Sequence, residues 1–445
     1  MRETKRQMTL YSFYDHTGLE RHFERMAEQG WLLCGSGQYT WHYRRSEPKQ
    51  LTFCVCYYPR ATIFDPLPSV SQEEFYDFCA HTGWTLAASS AQMQVFYNER
   101  PNPVPIDTDP AMEVEAIHQS AKKSWLISQI LFLILAVLNI GQFLWRLRGD
   151  PIATLSSPLS LLALVCWAVM LLLVGTDFAT YFRWRRRALK AAEQGEFLAT
   201  KSHPLFQKLA LAVVLAGLVW ALFYLQGALG GVMLLSLAGG VLLVAAVIAI
   251  REGLKKRFAS AETNRTVTIL ACVALSVLFA AVLPWLVARG LSGRNPAPEE
   301  LPLTLEDLLE GDFSGYSASW RGAQSPLLGQ YTAYQWPLGP VGQFPDPIYL
   351  DYEITLVKLP VLYGLCRDHL LEEYDTRGTG FLPVKYFAPM DPAPWGAEEA
   401  YQFVMDGETL DLYLLCYEGR IVKLDLDWPP TAEQMAAVGE KLGGR

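Results

Sequence analysis

Between about Trp125 and Val287 the chain gathers its apolar residues into stretches near Trp125 to Leu144, Leu159 to Phe178, Leu209 to Leu225, Val232 to Ile250 and Val267 to Val287. Each approaches the ~20 residues that a helix rising ~1.5 Å per residue needs to cross ~30 Å of hydrocarbon. A helix on a soluble domain carries a polar stripe. These stretches are apolar on all sides, and a helix in lipid satisfies its own backbone hydrogen bonds. The pattern therefore predicts about five transmembrane helices forming a membrane bundle. Trp125, Trp145, Tyr181, Trp184, Tyr224 and Trp285 fall near their ends, which predicts positions in the headgroup layer.

Loop charges predict the orientation. Arg183, Arg185, Arg186, Arg187, Lys190, Lys201 and Lys208 follow the second stretch, and Arg251, Lys255, Lys256, Arg257 and Arg265 follow the fourth. The turn from Gln226 to Gly231 carries no basic residue. Basic loops stay on the cytoplasmic side, so the expectation is a multi-pass protein of the cell membrane with its N-terminus cytoplasmic and its C-terminus extracellular. Arg146 and Arg148, in an expected outer loop, run against the trend. The charged start, Met1 to Met8, is not followed by an apolar run of leader length, so no secretion signal is expected. From Asn295 onward there are 24 carboxylates against 9 Lys and Arg, and the rest of the chain is net basic. Such an acidic tail excludes nucleic-acid binding there.

Few polar residues interrupt the spans. Asp177, Asn139 and Ser236 are the candidate functional or structural positions, since a polar group in lipid calls for a partner. Asp177 sits beside the arginine run, which predicts pairing at the cytosolic end. Ser236 and Gly240 form a small-xxx-small pair, with Gly230, Gly231 and Gly239 nearby, so a close helix contact is expected in the fourth span. Pro284 is expected to mark the outer end of the fifth.

The first 105 residues contain a duplication at an offset of 53. Phe23 aligns with Tyr76, Met26 with Cys79, Gly30 with Gly83, Trp31 with Trp84, and Tyr43 with Phe96. Each copy predicts an amphipathic helix, Leu19 to Glu28 or Gln72 to His81, closed by a C-cap glycine and followed by a strand, Trp31 to Arg44 or Trp84 to Asn98. With strands at Thr9 to Tyr14 and Leu51 to Tyr58, the order is βαββαβ, the ferredoxin-like split arrangement. Cys54 and Cys56 point to one face of their strand, where core packing is the expected role.

The aromatic opening from Leu10 to Asp15, the ERHFERMAEQGW stretch from Glu20 to Trp31 and the Phe75 to Trp84 stretch ending in His-Thr-Gly-Trp resemble domain-of-unknown-function family 2812. That family consists of bacterial membrane proteins common in Gram-positive species. The resemblance covers roughly the first 100 residues and implies a membrane location. It also implies a role near envelope sensing, because members are often encoded beside PadR-like regulators; the family offers no catalytic residues to carry over.

The expected organisation is a cytosolic domain over 1–105, a linker over 106–123, the membrane region over 124–289, a linker over 290–303 and an extracytoplasmic α+β domain over 304–445. In the last, Thr304-Leu-Glu-Asp307 and Thr431-Ala-Glu-Gln434 read as capping boxes. Strands are expected near Gln330 to Trp336, Ile348 to Val357, Tyr401 to Met405, Leu410 to Tyr417 and Arg420 to Leu426, with a helix over Leu359 to Tyr374. Turns at Asp406-Gly407 and Glu418-Gly419 predict an antiparallel meander for the last three strands. Cys366 and Cys416, the two cysteines expected on the extracellular side, are candidates for a disulfide. Cys366 and His369, with Glu372 and Glu373 a turn on, offer the start of a metal site, though packing is the simpler reading. Trp320, Tyr331, Tyr334 and Trp336 read as core before cleft.

Three functional classes follow. The first is a sensing, signalling or scaffolding protein that binds membrane lipids and a cytosolic regulator or membrane-protein partner, as a candidate homo-oligomer. The second is a transporter or accessory transport subunit, which would need more polar residues near the midplane. The third, a membrane enzyme, is least favoured, because His16, His22, His42, His81, His118, His203 and His369 are scattered and no Walker or GxSxG motif is present. No cofactor is expected.

Overall fold

The computed structural model describes residues 3–8, 11–36, 40–123, 125–200, 208, 211–219, 228–290, 301–313, 315–337, 348–377 and 383–444. The chain divides into two compact units, residues 1–138 with 166–291, and residues 139–165 with 292–445.

The first unit opens with β1 (Thr4–Gln7), α1 (His16–Glu28), β2 (Trp31–Ser36) and β3 (Trp41–Arg45). It repeats the series as β4 (Thr52–Tyr57), α2 (Val70–His81), β5 (Thr85–Ser90) and β6 (Met93–Asn98). The sheets run β1-β3-β2 and β4-β6-β5, and every strand pair is antiparallel. Both copies interrupt their second pairing at the same place, between Leu33 and Gly35 and between Leu86 and Ala88. Gly30 and Gly83 follow the helices with φ of 78° and 90°, a left-handed conformation that ends a helix at little cost only without a side chain.

This order corrects the expected βαββαβ. Each segment read as one strand, Trp31 to Arg44 and Trp84 to Asn98, is a hairpin, so the unit has two three-stranded sheets in place of the ferredoxin-like single sheet. The opening strand also lies earlier than expected. Thr4–Gln7 pairs with β3, and residues 11–14 are irregular, leading to Asp15, whose carboxylate caps α1 at the Gly18 amide, 3.1 Å away.

After α3 (Pro110–Lys123) come α4 (Trp125–Gly149), the short α5 (Pro151–Ser156), α6 (Pro158–Ala192), α7 (Ala228–Lys256) and α8 (Ala261–Gly290). Among the described residues, four helices are long and apolar enough to cross a membrane: Trp125–Gly149, Pro158–Ala192, Leu234–Lys256 and Ala261–Val282. The expected third span, Leu209 to Leu225, is described only over 211–219, which is helical. Gly239 allows α7 and α8 to approach, since a Cβ there would lie 2.5 Å from the Phe279 ring. At Gly240 nothing lies within 4 Å of such a Cβ, so the close contact falls one residue from the expected Ser236/Gly240 pair. α8 runs on through Pro284, which does not mark its end.

The second unit is built on one seven-stranded sheet. Its strands are β7 (Tyr316–Gln324), β8 (Leu328–Pro337), β9 (Leu350–Val357), β10 (Lys385–Met390), β11 (Glu399–Met405), β12 (Glu408–Tyr417) and β13 (Arg420–Leu426), with α9 (Tyr363–Glu372) before β10 and α10 (Ala432–Leu442) last. The order is β10-β11-β12-β13-β9-β8-β7, antiparallel throughout. The expected meander of β11, β12 and β13 and both capping boxes are present. The two strands that went unpredicted, β7 and β10, are the edges. Gly322 and Pro389 weaken their strand signal, and an edge is where a sheet tolerates proline. Trp320 stacks on Tyr331 with ring centroids 5.2 Å apart and both pack on the core, while Tyr334 is exposed.

α5 belongs to this unit. Its Ile152 and Leu155 are buried with Leu328, Val357, Cys366 and Leu370, and Ser325 Oγ donates to the Leu155 carbonyl at 2.6 Å. Asp150 caps the helix at the Ala153 amide. Cys366 and Cys416 share that apolar core as free thiols. They pack as small hydrophobic groups and do not form the expected crosslink.

Candidate functional site

The first turn of α1 and the edge strand β4 frame a cleft of about 340 Å³. His16, Thr17 and Glu20 come from α1, Cys54 and Val55 from β4, Pro105, Ile106 and Asp107 from the connection to α3, Glu113 from α3, and residues 197–199 close one side. Strand β4 has an unpaired edge, and α1 covers it. Glu20 accepts from the Val55 amide at 2.9 Å and Glu24 from the Phe53 amide at 3.4 Å, a spacing of four on the helix meeting a spacing of two on the strand. Glu20 is thus first a structural cap, and it also forms a cleft wall.

His16 Nε2 pairs with Glu113 Oε1 at 3.0 Å, and its Nδ1 lies 3.3 Å from the Tyr14 carbonyl. Burial works to lower the His16 pKa, but the hydrogen bond and charge of Glu113, with Glu20 beyond, outweigh it and leave the value raised. Burial raises Glu20, and burial with the charge of Glu113 raises Asp107. Cys54 and Cys56 sulfurs are 3.3 Å apart on one face of β4, as the spacing predicted. Cys56 is held above its ordinary value by the Cys54 contact and burial, and burial pushes Cys79 up to about 12. Protonated thiols of this kind are poor nucleophiles. The cleft thus combines three carboxylates, one imidazole and an apolar wall, with Glu113 already paired to His16 and Glu20 to the Val55 amide. Among the described residues no cluster of three or more His, Cys, Asp or Glu is arranged to hold a metal, and Cys366 is buried in the apolar core of the C-terminal unit.

A second constellation joins the opening segment to the helices. Tyr14, fully buried, lies 5.2 Å from Tyr181, 5.7 Å from Trp184 and 5.7 Å from Trp125, measured between ring centroids. Ser12 donates to Asp177, Thr200 Oγ1 donates to Asp15 at 2.7 Å, and Trp184 Nε1 donates to the Leu198 carbonyl at 3.2 Å. His118 meets the Tyr181 hydroxyl at 2.7 Å. Tyr181 and Trp184 were expected in the headgroup layer; they are buried in this protein core instead. Trp145 is 79 % exposed. Of the three polar span residues, Asp177 belongs to this seam, while Asn139 and Ser236 lie on α4 and α7, and each makes contacts of its own. The sequence signal for the seam was the aromatic run at Tyr11–Tyr14, read as a strand.

A folded pair of βαββ repeats joined to helices of crossing length defines a protein compatible with membrane insertion. Residues 16–130 match the model of the family described as "Protein of unknown function (DUF2812)". The match covers both Gly-Trp stretches and the first residues of α4, and starts just after the Leu10 to Asp15 opening. No curated protein and no solved structure matches the chain.

Proposed function

We propose that this protein is a multi-pass signalling or scaffolding protein of the cell membrane, linking an external C-terminal unit to a cytosolic N-terminal unit that binds a partner. One observation carries the reading. α4 begins in the N-terminal core at Trp125 and Leu126, α5, which follows it, is in the C-terminal core, and α6 ends in the N-terminal core at Tyr181, Trp184 and Ala188. In this proposal the two helices of crossing length are the route by which a shift in one core would reach the other, as coupling between sites requires. Parity adds the missing span. Thr200 and the first turn of α8 both bond to the N-terminal fold, through Asp15 and Phe64, so α7 reaches that side from the opposite one. In this reading the expected stretch Leu209 to Leu225, described only over 211–219, is the further crossing. The basic residues after α6 and α7 support reading that side as cytosolic.

Membrane-impermeant maleimide on intact cells tests the topology. Exposed Cys34 stays unlabelled and Val361→Cys, at an 84 % exposed site, is labelled. Labelling of both would end the two-sided reading. Coupling is tested separately by hydrogen exchange in nanodiscs: Leu155→Asp in α5 raises exchange across residues 11–17, and an unchanged rate there would remove the signalling role.

A further inference from the structure

We propose that the loop between β4 and α2 is a surface anchor that dips into an anionic cytoplasmic leaflet; the inference rests on the membrane reading above. Asn264, fully buried in the first turn of α8, donates through Nδ2 to the Phe64 carbonyl at 3.1 Å and to the Arg251 carbonyl at 3.3 Å. Its Oδ1 accepts from Thr268 at 3.2 Å. A single amide side chain thus ties this loop to the end of α7 and the start of α8, where two helices of crossing length meet their connecting turn.

That position sets the loop at the level where hydrocarbon gives way to headgroups, and its exposed side chains suit that layer. In the loop Ile63 is 44 % and Leu67 59 % exposed, Val70, the first residue of α2, is 74 % exposed, and in the connecting turn Phe258 is 68 % exposed. The loop presents them from a fixed backbone. Asp65 accepts from the Thr62 amide at 2.6 Å, Thr62 accepts from the Phe64 amide at 3.3 Å, and Pro66 and Pro68 flank Leu67. Arg60, Lys256, Arg257 and Arg265 are exposed around them. Of the acids nearby, Glu252 is paired with Arg251 and Lys255 and Asp65 is tied to the Thr62 amide, which leaves Glu262 and, on α2, Glu73 and Glu74 as exposed acids beside the exposed bases. Apolar side chains within a basic ring are the composition of a surface that binds anionic lipid, with the rings and methyls in the acyl boundary and the cations on phosphates. A protein partner at this patch would have to compete with the bilayer that α8 itself enters.

Full-length protein in nanodiscs tests the proposal, in a background with exposed Cys34 and Cys272 replaced by Ser. An environment-sensitive nitrobenzoxadiazole label is placed at Leu67→Cys, at Val70→Cys as an independent second site, and at Val277→Cys, a 64 % exposed position within α8. Lipids carrying a nitroxide high on the acyl chain quench the labels at 67 and 70 by about twofold, as expected for side chains at the acyl–headgroup boundary. The quenching is greater in discs containing phosphatidylglycerol than in phosphatidylcholine alone. Quenching at 277, measured with a mid-chain nitroxide, but at neither 67 nor 70 overturns the anchor and leaves the spanning helix in place. Quenching at none of the three overturns the membrane reading with it, and equal quenching in both lipids removes the anionic leaflet from the proposal.

Discussion

Among the described residues, the buried polar side chains of the N-terminal unit include the ionisable Asp15, His16 and His118, whereas those of the C-terminal unit are Thr154, Ser156, Ser317, Ser319, Ser325, Gln335 and Thr355, none of them ionisable near neutral pH. In the N-terminal unit each such group is held by an element distant in sequence: Asp15 by Thr200, His16 by Glu113, His118 by Tyr181. In the C-terminal unit the polar groups mend the backbone, as when Gln335 accepts from the Leu305 amide at 2.8 Å. The difference separates two ways of closing a core. One depends on the positions of α3 and α6 and on pH; the other depends on packed volume.

The largest effects should come from one tryptophan on each side. Trp395 is fully buried beneath α10, where a Cβ at Gly439 would meet its carbonyl oxygen at 2.1 Å. Trp395→Ala should cost about 3–5 kcal/mol, seen as faster hydrogen exchange in α10 and β12. Trp184→Ala should cost a similar amount and act at a distance in sequence, because Tyr14 loses its stacked neighbour and Leu198 its donor. Exchange should rise in residues 11–17 and 198–200. If Trp184→Ala leaves the opening segment protected, the aromatic seam is not what holds the N-terminal core to α6.

The same contrast governs what the sequence revealed. β13 was legible to the residue, and the two turns of its meander carry glycine at positive φ, Gly407 at 88° between β11 and β12 and Gly419 at 67° between β12 and β13. The hairpin between β5 and β6 turns at Ala91 and Gln92, with Ala91 at φ 50°, and no Asn-Gly or Asp-Gly announces it. One long strand was therefore read in its place. Membrane-length helices were legible because lipid imposes a composition. The cleft was not, because His16, Asp107, Glu113 and residues 197–199 converge only after α1, α3 and α6 have packed, and no spacing rule connects them. The four-residue step from Glu20 to Glu24 was the one available signal, and it points to covering β4.

The next effect is electrostatic. His16 in the fold sits above its ordinary pKa because of Glu113, and Glu20 and Asp107 are raised as well. A group raised on folding binds its proton more tightly in the native state, so its contribution is complete below the unfolded pKa and is lost as pH rises through the folded value. All three shifts have the same sign. Stability of the N-terminal unit should fall from mildly acid to alkaline pH. His16→Gln should cost about 3 kcal/mol at pH 6, since it leaves Glu113 buried without its cation, and the deficit should shrink toward pH 9. A deficit that stays constant across that range would show that His16 serves packing and not charge.

The C-terminal unit offers the smaller counterpart, one carboxylate pair that can be removed without loss of packing. Asp351 on β9 faces Asp425 on β13 directly across the ladder, and like charges in that position repel. Burial, with the charge of Asp425, pushes Asp351 up to about 6. By the same linkage the native state is favoured below the ordinary carboxylate range and penalised as pH rises past 6. Asp351→Asn removes the repulsion and keeps the volume. It should therefore stabilise the sheet at pH 8 by about 1 kcal/mol, the full shift being reduced by solvent screening at this half-buried site, and should give no gain at pH 4. Thermal unfolding of the full chain at the two pH values measures the difference. A gain at both pH values would mean that the asparagine improves the strand itself, and a loss at pH 8 would mean that Lys423, next along β13, depends on Asp351 as well as on Glu353, 3.6 Å away.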